Sequence, residues 1–357
     1  MARKLRVGIV GLGRIFDVNS LGYRDNPDVK VVGLCDARAE MLARREGLFP
    51  GARGTTDYAE LLSWDLDLVD ILTPHPLHAE MAEAAFRAGA HVSVQKPMAL
   101  TLAECDRMIA AAALAGKRLK LFENYVFYPP LVKARELLGA GAVGVPQHLR
   151  MKVALGDRST AWPVEAETQA WRTELARQGK AGVLFDHGHH LMATALWLFG
   201  APRDGFANIE TTPGPNGALF DAPATLIWRH AVPAVHAVWD MSLALKMRVR
   251  TDYYAAYERF EIQGDEGILQ VNRCSDRMLD EPVLTLYRDG EVRAFHNIEA
   301  DWGESFNLST RHFVDVLLGR AEQEVFTGHE GRAVVRMYQM LARAAAEGRR
   351  VALDEIA

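Results

Sequence analysis

Residues 5–123 alternate short apolar runs with helical stretches, and this alternation constrains the fold more than any other feature of the chain. LRVGIV (5–10), KVVGLC (30–35), DLVDILT (67–73), HVSV (91–94) and RLKLFE (118–123) read as strands. A helix is expected from about Gly13, and ARAEMLARREG, HAEMAEAAFRAG (78–89) and LAECDRMIAAAALAG (102–116) supply the helical texture between the later runs. The last two end in glycine, the usual residue just past a helix C-terminus. Strands that are apolar throughout can be buried on both faces. Alternated with helices, they predict a parallel sheet covered on both sides and joined by right-handed crossovers.

After Asn124 the texture changes. PPLVKARELLGAGAVG (129–144) is one more helix and turn, and then QHLRMKVAL, FANIETT, TLIWRH, AVHAVWD, RFEIQG, ILQVN and VLTLYRDGEVRAFH follow as strands with short turns. Asp289-Gly290 between two alternating runs is a hairpin signal, and Gly264-Asp-Glu-Gly267 is a slightly longer one. A helix is expected at about 186–199 and another over 330–346. The expected architecture is therefore α/β followed by α+β. Residues 1–123 form a doubly wound parallel sheet, and residues 124–357 a large, mostly antiparallel open sheet with helices on one face.

At 357 residues, 49% hydrophobic and 24% charged, the chain has enough apolar mass for two such domains. Its net charge of −5 is spread along the sequence, with no basic stripe of the kind that nucleic-acid binding requires. No apolar run approaches the ~20 residues of a membrane span. The opening MARKLRVGIVGLG is cut off by Arg14 and Asp17 and reads as a first strand, not a secretory signal. Three widely separated cysteines, Cys35, Cys105 and Cys274, without a CxxC, are expected to be reduced thiols in a cytoplasmic protein.

The first strand runs into Gly11-Leu-Gly13-Arg14-Ile15-Phe16. A G-x-G-x-x-G turn between a strand and a helix is the Rossmann dinucleotide fingerprint, in which one glycine permits the tight turn and another lets the backbone approach a pyrophosphate. Phe16 replaces the third glycine and should widen the helix–strand spacing or tilt the helix. Asp36 ends the second strand, 23 residues after Gly13, where a carboxylate can bind the ribose hydroxyls. It would repel a 2′-phosphate, which favours NAD over NADP, although Arg14 and Arg38 lie close by and partly offset that repulsion. Asp36 could equally cap the helix that follows.

Two stretches carry the candidate chemistry. Lys96 ends a strand on the edge where open α/β sheets bind ligands, and Pro97 restricts its backbone. A cation fixed there can stabilise a developing alkoxide, although a solvated lysine after a strand is the more ordinary fate. In GVLFDHGHHLMATALWLFG (182–200), Asp186 and His190 are four apart and point the same way on one helix. A carboxylate beside an imidazole can fix its tautomer and make it a usable general base. A capping Asp and a satisfied surface His would look the same. His187, His189 and His190 also raise a metal reading, but their spacing matches no common zinc motif.

Taken together these segments resemble the glucose-fructose oxidoreductase/inositol dehydrogenase/rhizopine-catabolism family (Gfo/Idh/MocA). The likeness covers nearly the whole chain: VGIVGLGRI, VDILTPHPLHAEMAEAAFRAGAHVSVQKPMAL, ENYVFYPP, AWRTE, the Asp186-x-Gly188-x-His190 pattern, FEIQGDEGIL and TGHEG (327–331). The chain departs from the family's usual Glu-Lys-Pro at Gln95-Lys96-Pro97, where a neutral amide removes a negative charge beside the lysine. The glycine run before Asp186 is reduced to Gly179-Lys-Ala-Gly182, which should stiffen that loop.

The resemblance implies an NAD(P)-dependent oxidoreductase acting on a secondary alcohol of a sugar, cyclitol or related polyol. It implies that Lys96 hydrogen-bonds the reacting hydroxyl, that His190 accepts its proton, and that Asp186 positions the substrate or the imidazole. Thr73, Pro74 and His78 would line the cofactor, with Gln95 and Asn124 also on its side, and Trp171 and Arg172 would approach its nicotinamide end or phosphates. A homodimer or homotetramer through the open face of the second sheet is implied as well. Tyr125, Phe127, Trp162, Trp171, Tyr253 and Tyr254 are candidates to stack on a pyranose ring, although most such aromatics are core. Two other functions compete with the dehydrogenase: an NAD-requiring glycoside hydrolase or lyase that oxidises its substrate transiently, and a non-catalytic NAD-sensing regulator. Retention of Lys96, Asp186 and His190 argues against the regulator.

Overall fold

The computed structural model describes residues 3–157, 159, 161–163, 166–178, 180, 182–213, 219–231 and 233–357. Gly179, the start of the reduced glycine run, lies outside them. The chain divides into two compact units. One comprises residues up to Asn124 together with Ser305–Val335, and the other Tyr125–Glu304 with Arg336–Ala357. The first boundary falls one residue beyond the expected one. The return of residues 305–335 to the N-terminal unit is a difference from the simple division at 123/124.

The N-terminal unit holds six parallel strands: β1 (Leu5–Val10), β2 (Val29–Cys35), β3 (Arg53–Thr55), β4 (Leu68–Ile71), β5 (His91–Gln95) and β6 (Leu119–Phe122), in the order β3-β2-β1-β4-β5-β6. The expected doubly wound sheet is present, with β3 as an added edge strand. Its three residues, RGT, are too short and too polar to stand out as an apolar run. The order reverses between β1 and β4, so their C-terminal ends flank the crevice where such sheets bind ligands.

Helices α1 (Phe16–Asn19), α2 (Ala39–Arg45), α3 (Tyr58–Leu62), α4 (His78–Arg87) and α5 (Leu102–Ala115) join the strands. α5 begins in a capping box, in which the Glu104 amide donates to Thr101 Oγ1 and the Thr101 amide donates to Glu104 Oε2. It ends at Gly116 in the left-handed conformation, where the sequence places it. α1 starts at Phe16 and not at Gly13, and after four residues it passes into a 3₁₀ turn, Ser20–Tyr23. Phe16 is fully buried in a core cluster with Val7, Ile9, Leu12 and Tyr23, to which Phe313, Val314 and Val316 of the returning segment also belong.

The second unit contains helices α6 (Pro129–Gly139), α7 (Ala166–Arg177), α8 (Val183–Asp186) and α9 (Gly188–Phe199). Its strands are β7 (Pro146–Asp157), β8 (Pro202–Ile209), β9 (Thr212–Pro213), β10 (Leu219–Phe220), β11 (Ala224–His230), β12 (His236–Arg248), β13 (Ala256–Gly264), β14 (Gly267–Val271), β15 (Leu284–Arg288), β16 (Glu291–Phe295) and β17 (Val351–Ala352). β9 and β10 form a small separate ribbon. The rest make a nine-stranded sheet, β16-β15-β14-β13-β7-β12-β11-β8-β17, antiparallel except where β7 meets β12. Along β13, buried and half-buried residues alternate strictly, the mark of a sheet with one covered face. Asp289 and Gly290 both have positive φ, 54° and 79°, as a two-residue hairpin turn demands.

The expected helix at 186–199 is two helices broken at His187. The helix expected over 330–346 runs as α11 (Gly328–Glu347), after α10 (Trp302–Leu317), which has no counterpart in the sequence reading. Among the described residues no helix is long and apolar enough to cross a membrane.

Candidate functional site

At the end of β1, Gly11 has φ +89°, and a Cβ there would lie 2.7–2.9 Å from the Leu72 carbonyl and the Thr73 nitrogen. The end of β4 therefore demands this glycine. Phe16 occupies the third fingerprint position with its ring edge-on to Phe49, their centroids 6.3 Å apart. Asp36 is nearly buried. Its Oδ2 accepts from the Leu12 amide at 2.8 Å and its Oδ1 from the Arg38 amide at 3.0 Å. It ties the glycine turn to the end of β2, and Arg38, not Asp36, is the N-cap of α2. The Arg38 guanidinium stands 3.6 Å from Asp36, whereas Arg14 pairs with Asp17 at 2.8 Å. Ile15 caps α1 with its backbone.

In the Thr73–His78 stretch, expected beside the cofactor, Thr73 and Pro74 are half-buried. His78 is fully buried. Its Nε2 lies 2.8 Å from the Thr73 carbonyl and its Nδ1 3.0 and 3.2 Å from those of Pro97 and Met98. Burial lowers its pKa, against the pull of those carbonyls. The ring is thus a clasp between the loop after β4 and the segment after Lys96. Thr73 points its hydroxyl at Met81 Sδ, and Pro74 caps the short 3₁₀ turn His75–Leu77. Asn124, also expected on the cofactor side, is buried and donates to Ser305 Oγ at 2.9 Å.

Lys96 follows β5, half-buried, and is joined to Pro97 by a cis peptide bond. Gln95 is buried, with both ends of its amide used: Oε1 accepts from the Lys96 amide at 3.0 Å, and Nε2 donates to Asn19 Oδ1 at 2.8 Å. Asn19 Nδ2 donates in turn to Asp70 Oδ2 at 2.8 Å, which Tyr23 also meets at 3.1 Å. Burial raises the Asp70 carboxyl, and Lys120 is among the groups that oppose that rise. Lys120 is itself buried, its pKa lowered by burial, and it donates to the Ser309 carbonyl at 2.7 Å. None of Asn19, Asp70 or Lys120 was picked out in the sequence. The signal was there in a charged residue inside each of two apolar runs, LVDI and LKLF.

In the second unit, Gly188 opens α9 where a Cβ would come within 2.2 Å of the Trp239 ring. His190, two residues on, is buried and lies flat on Tyr125, centroids 4.3 Å apart at 12°. Tyr125 is fully buried, so it supports His190 and cannot offer a ring face to a substrate. Its hydroxyl donates to Glu258 Oε2 at 2.8 Å and lies against the Tyr254 hydroxyl, which donates to the same oxygen at 2.6 Å. Glu258 Oε1 meets His187 Nε2 at 2.7 Å. Burial alone would raise this fully buried carboxyl. The His187 ring and the two hydroxyls outweigh that and hold it below its ordinary value. Glu258 and His187 thus form a carboxylate–imidazole pair, with the His187 and His190 rings 6.1 Å apart.

Asp186 accepts from Arg172 Nε at 2.8 Å. Asp186 closes α8 and His190 lies in the first turn of α9, and the His187 between the two helices keeps right-handed helical dihedrals, φ −79° and ψ −41°. The Arg172 guanidinium also lies over Trp171, 4.3 Å from its centroid. Trp162 packs edge-on against Tyr253 and Trp302. The Tyr253 hydroxyl is committed to Asp301 and to the Gly303 amide. Among the described residues no group of three or more His, Cys, Asp or Glu is placed to hold a metal ion.

Residues 5–123 match the family model described as an oxidoreductase family with an NAD-binding Rossmann fold, and residues 131–270 match a GFO/IDH/MocA C-terminal domain. The chain is 31% identical over 279 residues to the D-apiose dehydrogenase of Paraburkholderia graminis, covering 76% of this chain and 68% of that one. It is 38% identical over 141 residues to a 1-carboxy-3-chloro-3,4-dihydroxycyclohexa-1,5-diene dehydrogenase of Comamonas testosteroni, a match that spans 39% of this chain and only 36% of that protein's length. In three dimensions it is similar to an oxidoreductase from Agrobacterium radiobacter solved with NAD+, L-tartaric acid and magnesium. That match has a TM-score of 0.82 at 20% identity and covers 99% of this chain and all of the other.

Proposed function

Because the chain belongs to the GFO/IDH/MocA oxidoreductase family, we propose that it transfers hydride between NAD and a ring secondary alcohol of a sugar, glycoside or cyclitol, with Lys96 and His190 handling the hydroxyl proton. The observation that carries this reading is the fixing of Lys96 at the C-terminal end of a central strand in a sheet of the NAD-binding type. That edge is where such sheets hold their ligands.

The residues present fit the cofactor. Gly11, with φ +89° and the Leu72 carbonyl and Thr73 nitrogen packed against it, turns the chain sharply at the end of β1, the turn a dinucleotide site needs. Asp36 accepts only two of the roughly four hydrogen bonds a carboxylate can take, which leaves capacity for ribose hydroxyls. Its charge disfavours a 2′-phosphate, and Arg38 only partly offsets it, so NAD is preferred over NADP. Bound NAD supplies the hydride acceptor. The ammonium of Lys96 donates a hydrogen bond to the substrate oxygen and stabilises charge developing on it. His190, held flat by Tyr125, accepts the hydroxyl proton as general base. Asp186 and Arg172, paired at 2.8 Å, orient polar groups of the substrate. Trp162 and Tyr253, half-buried like Phe127, Trp171 and Tyr254, are aromatic faces for a sugar ring. Leu245, Tyr287 and Val292, exposed on β12, β15 and β16, support pairing of the open sheet with a second copy of the chain.

The test is a screen of monosaccharides, glycosides and inositols with NAD, read by NADH absorbance, for the native chain and for Lys96→Ala and His190→Ala. Each substitution should lower turnover by at least about 100-fold, the scale of a lost acid–base or electrostatic group, while NAD still binds. Near-native turnover in either variant would overturn the assignment.

A further inference from the structure

We propose that Gln95 is a positioning residue for Lys96, and that its amide, in place of a carboxylate, is demanded by the Asn19–Asp70 pair behind it. The proposal rests on the role given to Lys96 above.

The main chain around Lys96 is held from both sides. His78 lies against the carbonyls of Pro97 and Met98, and the Lys96 amide donates to Gln95 Oε1 at 3.0 Å. The second contact turns residue 95 back on its own successor, so the side chain at 95 must present an acceptor there. Its other end meets Asn19, which is fully buried. Asp70 Oδ2 accepts from Asn19 Nδ2 at 2.8 Å and from Tyr23 at 3.1 Å, which aims the Asn19 oxygen away from Asp70 and at residue 95. Residue 95 must therefore donate to Asn19 and accept from Lys96. Glutamine does both. A glutamate has no hydrogen to give, and would set a carboxylate oxygen against Asn19 Oδ1 where Gln95 Nε2 now stands at 2.8 Å. Turning the Asn19 amide over would relieve that clash and create the same clash with Asp70. The polarity thus runs in one direction, from the carboxylate in β4 through Asn19 and Gln95 to the Lys96 amide. This accounts for the Gln-Lys-Pro of this chain where the resembled family has Glu-Lys-Pro.

The same logic names the compensating change. A protonated histidine at 19 offers a donor on each ring nitrogen and can sit between two carboxylates. The experiment is a double-mutant cycle of Gln95→Glu and Asn19→His on the full chain, with Lys96→Ala alongside. It reads turnover with the best sugar from the screen, thermal midpoint, and NAD affinity by fluorescence. Gln95→Glu should lower turnover about 10- to 100-fold, the scale of a displacement near 1 Å at a reacting group. Asn19→His alone should also lose activity, and the double variant should recover to within about fivefold of native, a strongly non-additive result.

Additive losses would overturn the proposal, as would a silent Gln95→Glu in a protein that Lys96→Ala inactivates. Coupling in the thermal midpoint without coupling in turnover would also overturn it, because the pair would then hold the fold and not the lysine. An active Lys96→Ala variant would instead refute the assigned reaction. The cycle in thermal midpoint would then still report whether the polarity match exists.

Discussion

The glycine of the Asp186-x-Gly188-x-His190 pattern is a steric requirement that one methyl group can test. A Cβ on Gly188 would lie 2.2 Å from Trp239 Cη2 and 2.7 Å from Cζ3. Carbon atoms rest at about 3.5 Å or more, so helix or ring must move by roughly 1.3 Å. Trp239 is fully buried in β12, between β7 and β11, and cannot swing aside. The motion therefore falls on α9, which carries His190 off its stack on Tyr125. Overpacking of this kind costs about 1–3 kcal/mol, and alanine's better helix propensity returns at most ~1 kcal/mol of it. The net loss, at most about 3 kcal/mol, corresponds to a thermal midpoint lower by up to roughly 12 °C for a unit of this size. A displacement near 1 Å at a general base costs about 100-fold in turnover. Gly188→Ala should thus show a modest drop in midpoint by circular dichroism, a large drop in sugar oxidation, and unchanged NAD affinity. Native turnover together with a native midpoint would refute the argument.

Two further outcomes follow from named contacts. His230 accepts a hydrogen bond from Trp228 Nε1 at 2.9 Å, which requires a neutral ring nitrogen, and burial lowers its pKa from 6.5 to about 4. A folded-state value below the unfolded one stabilises fully above pH 6.5, and that contribution is lost as pH falls through 4. At most it amounts to about 3 kcal/mol. His230→Gln keeps an acceptor for Trp228 but does not titrate, so its thermal midpoint should fall less steeply than the native one between pH 6.5 and 4; parallel curves would show that His230 does not contribute. Asp36→Ala should weaken NAD binding, since the Leu12 and Arg38 amides lose their acceptor, and should narrow the preference for NAD over NADP; an unchanged ratio of the two affinities would remove Asp36 from the ribose site.

Most of the sheet of the N-terminal unit was legible because its longer strands are buried on both faces and read as largely apolar runs. The Asp289-Gly290 hairpin was legible because only small or Asx residues accept positive φ at both turn positions. What escaped was set by distant partners. β3 is too short to carry a pattern, and α10 packs Phe313, Val314 and Val316 into the first unit from far along the chain. No local periodicity says to which unit a helix returns. The Arg172 partner of Asp186 was not legible either, because it comes from a separate helix 14 residues earlier. Tyr125 looked like a sugar platform because aromatic composition cannot tell a buried ring from an exposed one.

The two units share one device, a buried carboxylate whose donors fix a side chain beside the site. Each carries one residue assigned here to proton chemistry, Lys96 in one and His190 in the other, and beneath each lies a buried carboxylate, Asp70 or Glu258. A buried carboxylate costs several kcal/mol unless its oxygens are met by donors. Glu258 is met on both oxygens by His187 and two tyrosine hydroxyls and is held below its ordinary value, whereas Asp70 takes Asn19 and Tyr23 on Oδ2 alone and stays raised by burial against the opposing charge of Lys120. Once the donors are committed, each has one orientation left. Tyr125 is fixed by Glu258 and thereby fixes the ring stacked on it, and Asn19 is fixed by Asp70 and thereby fixes the amide that holds Lys96. The expense of burying charge is thus matched by rigidity delivered to the residue above it. On this view Asp70 and Glu258 contribute to turnover by orientation, without touching the alcohol.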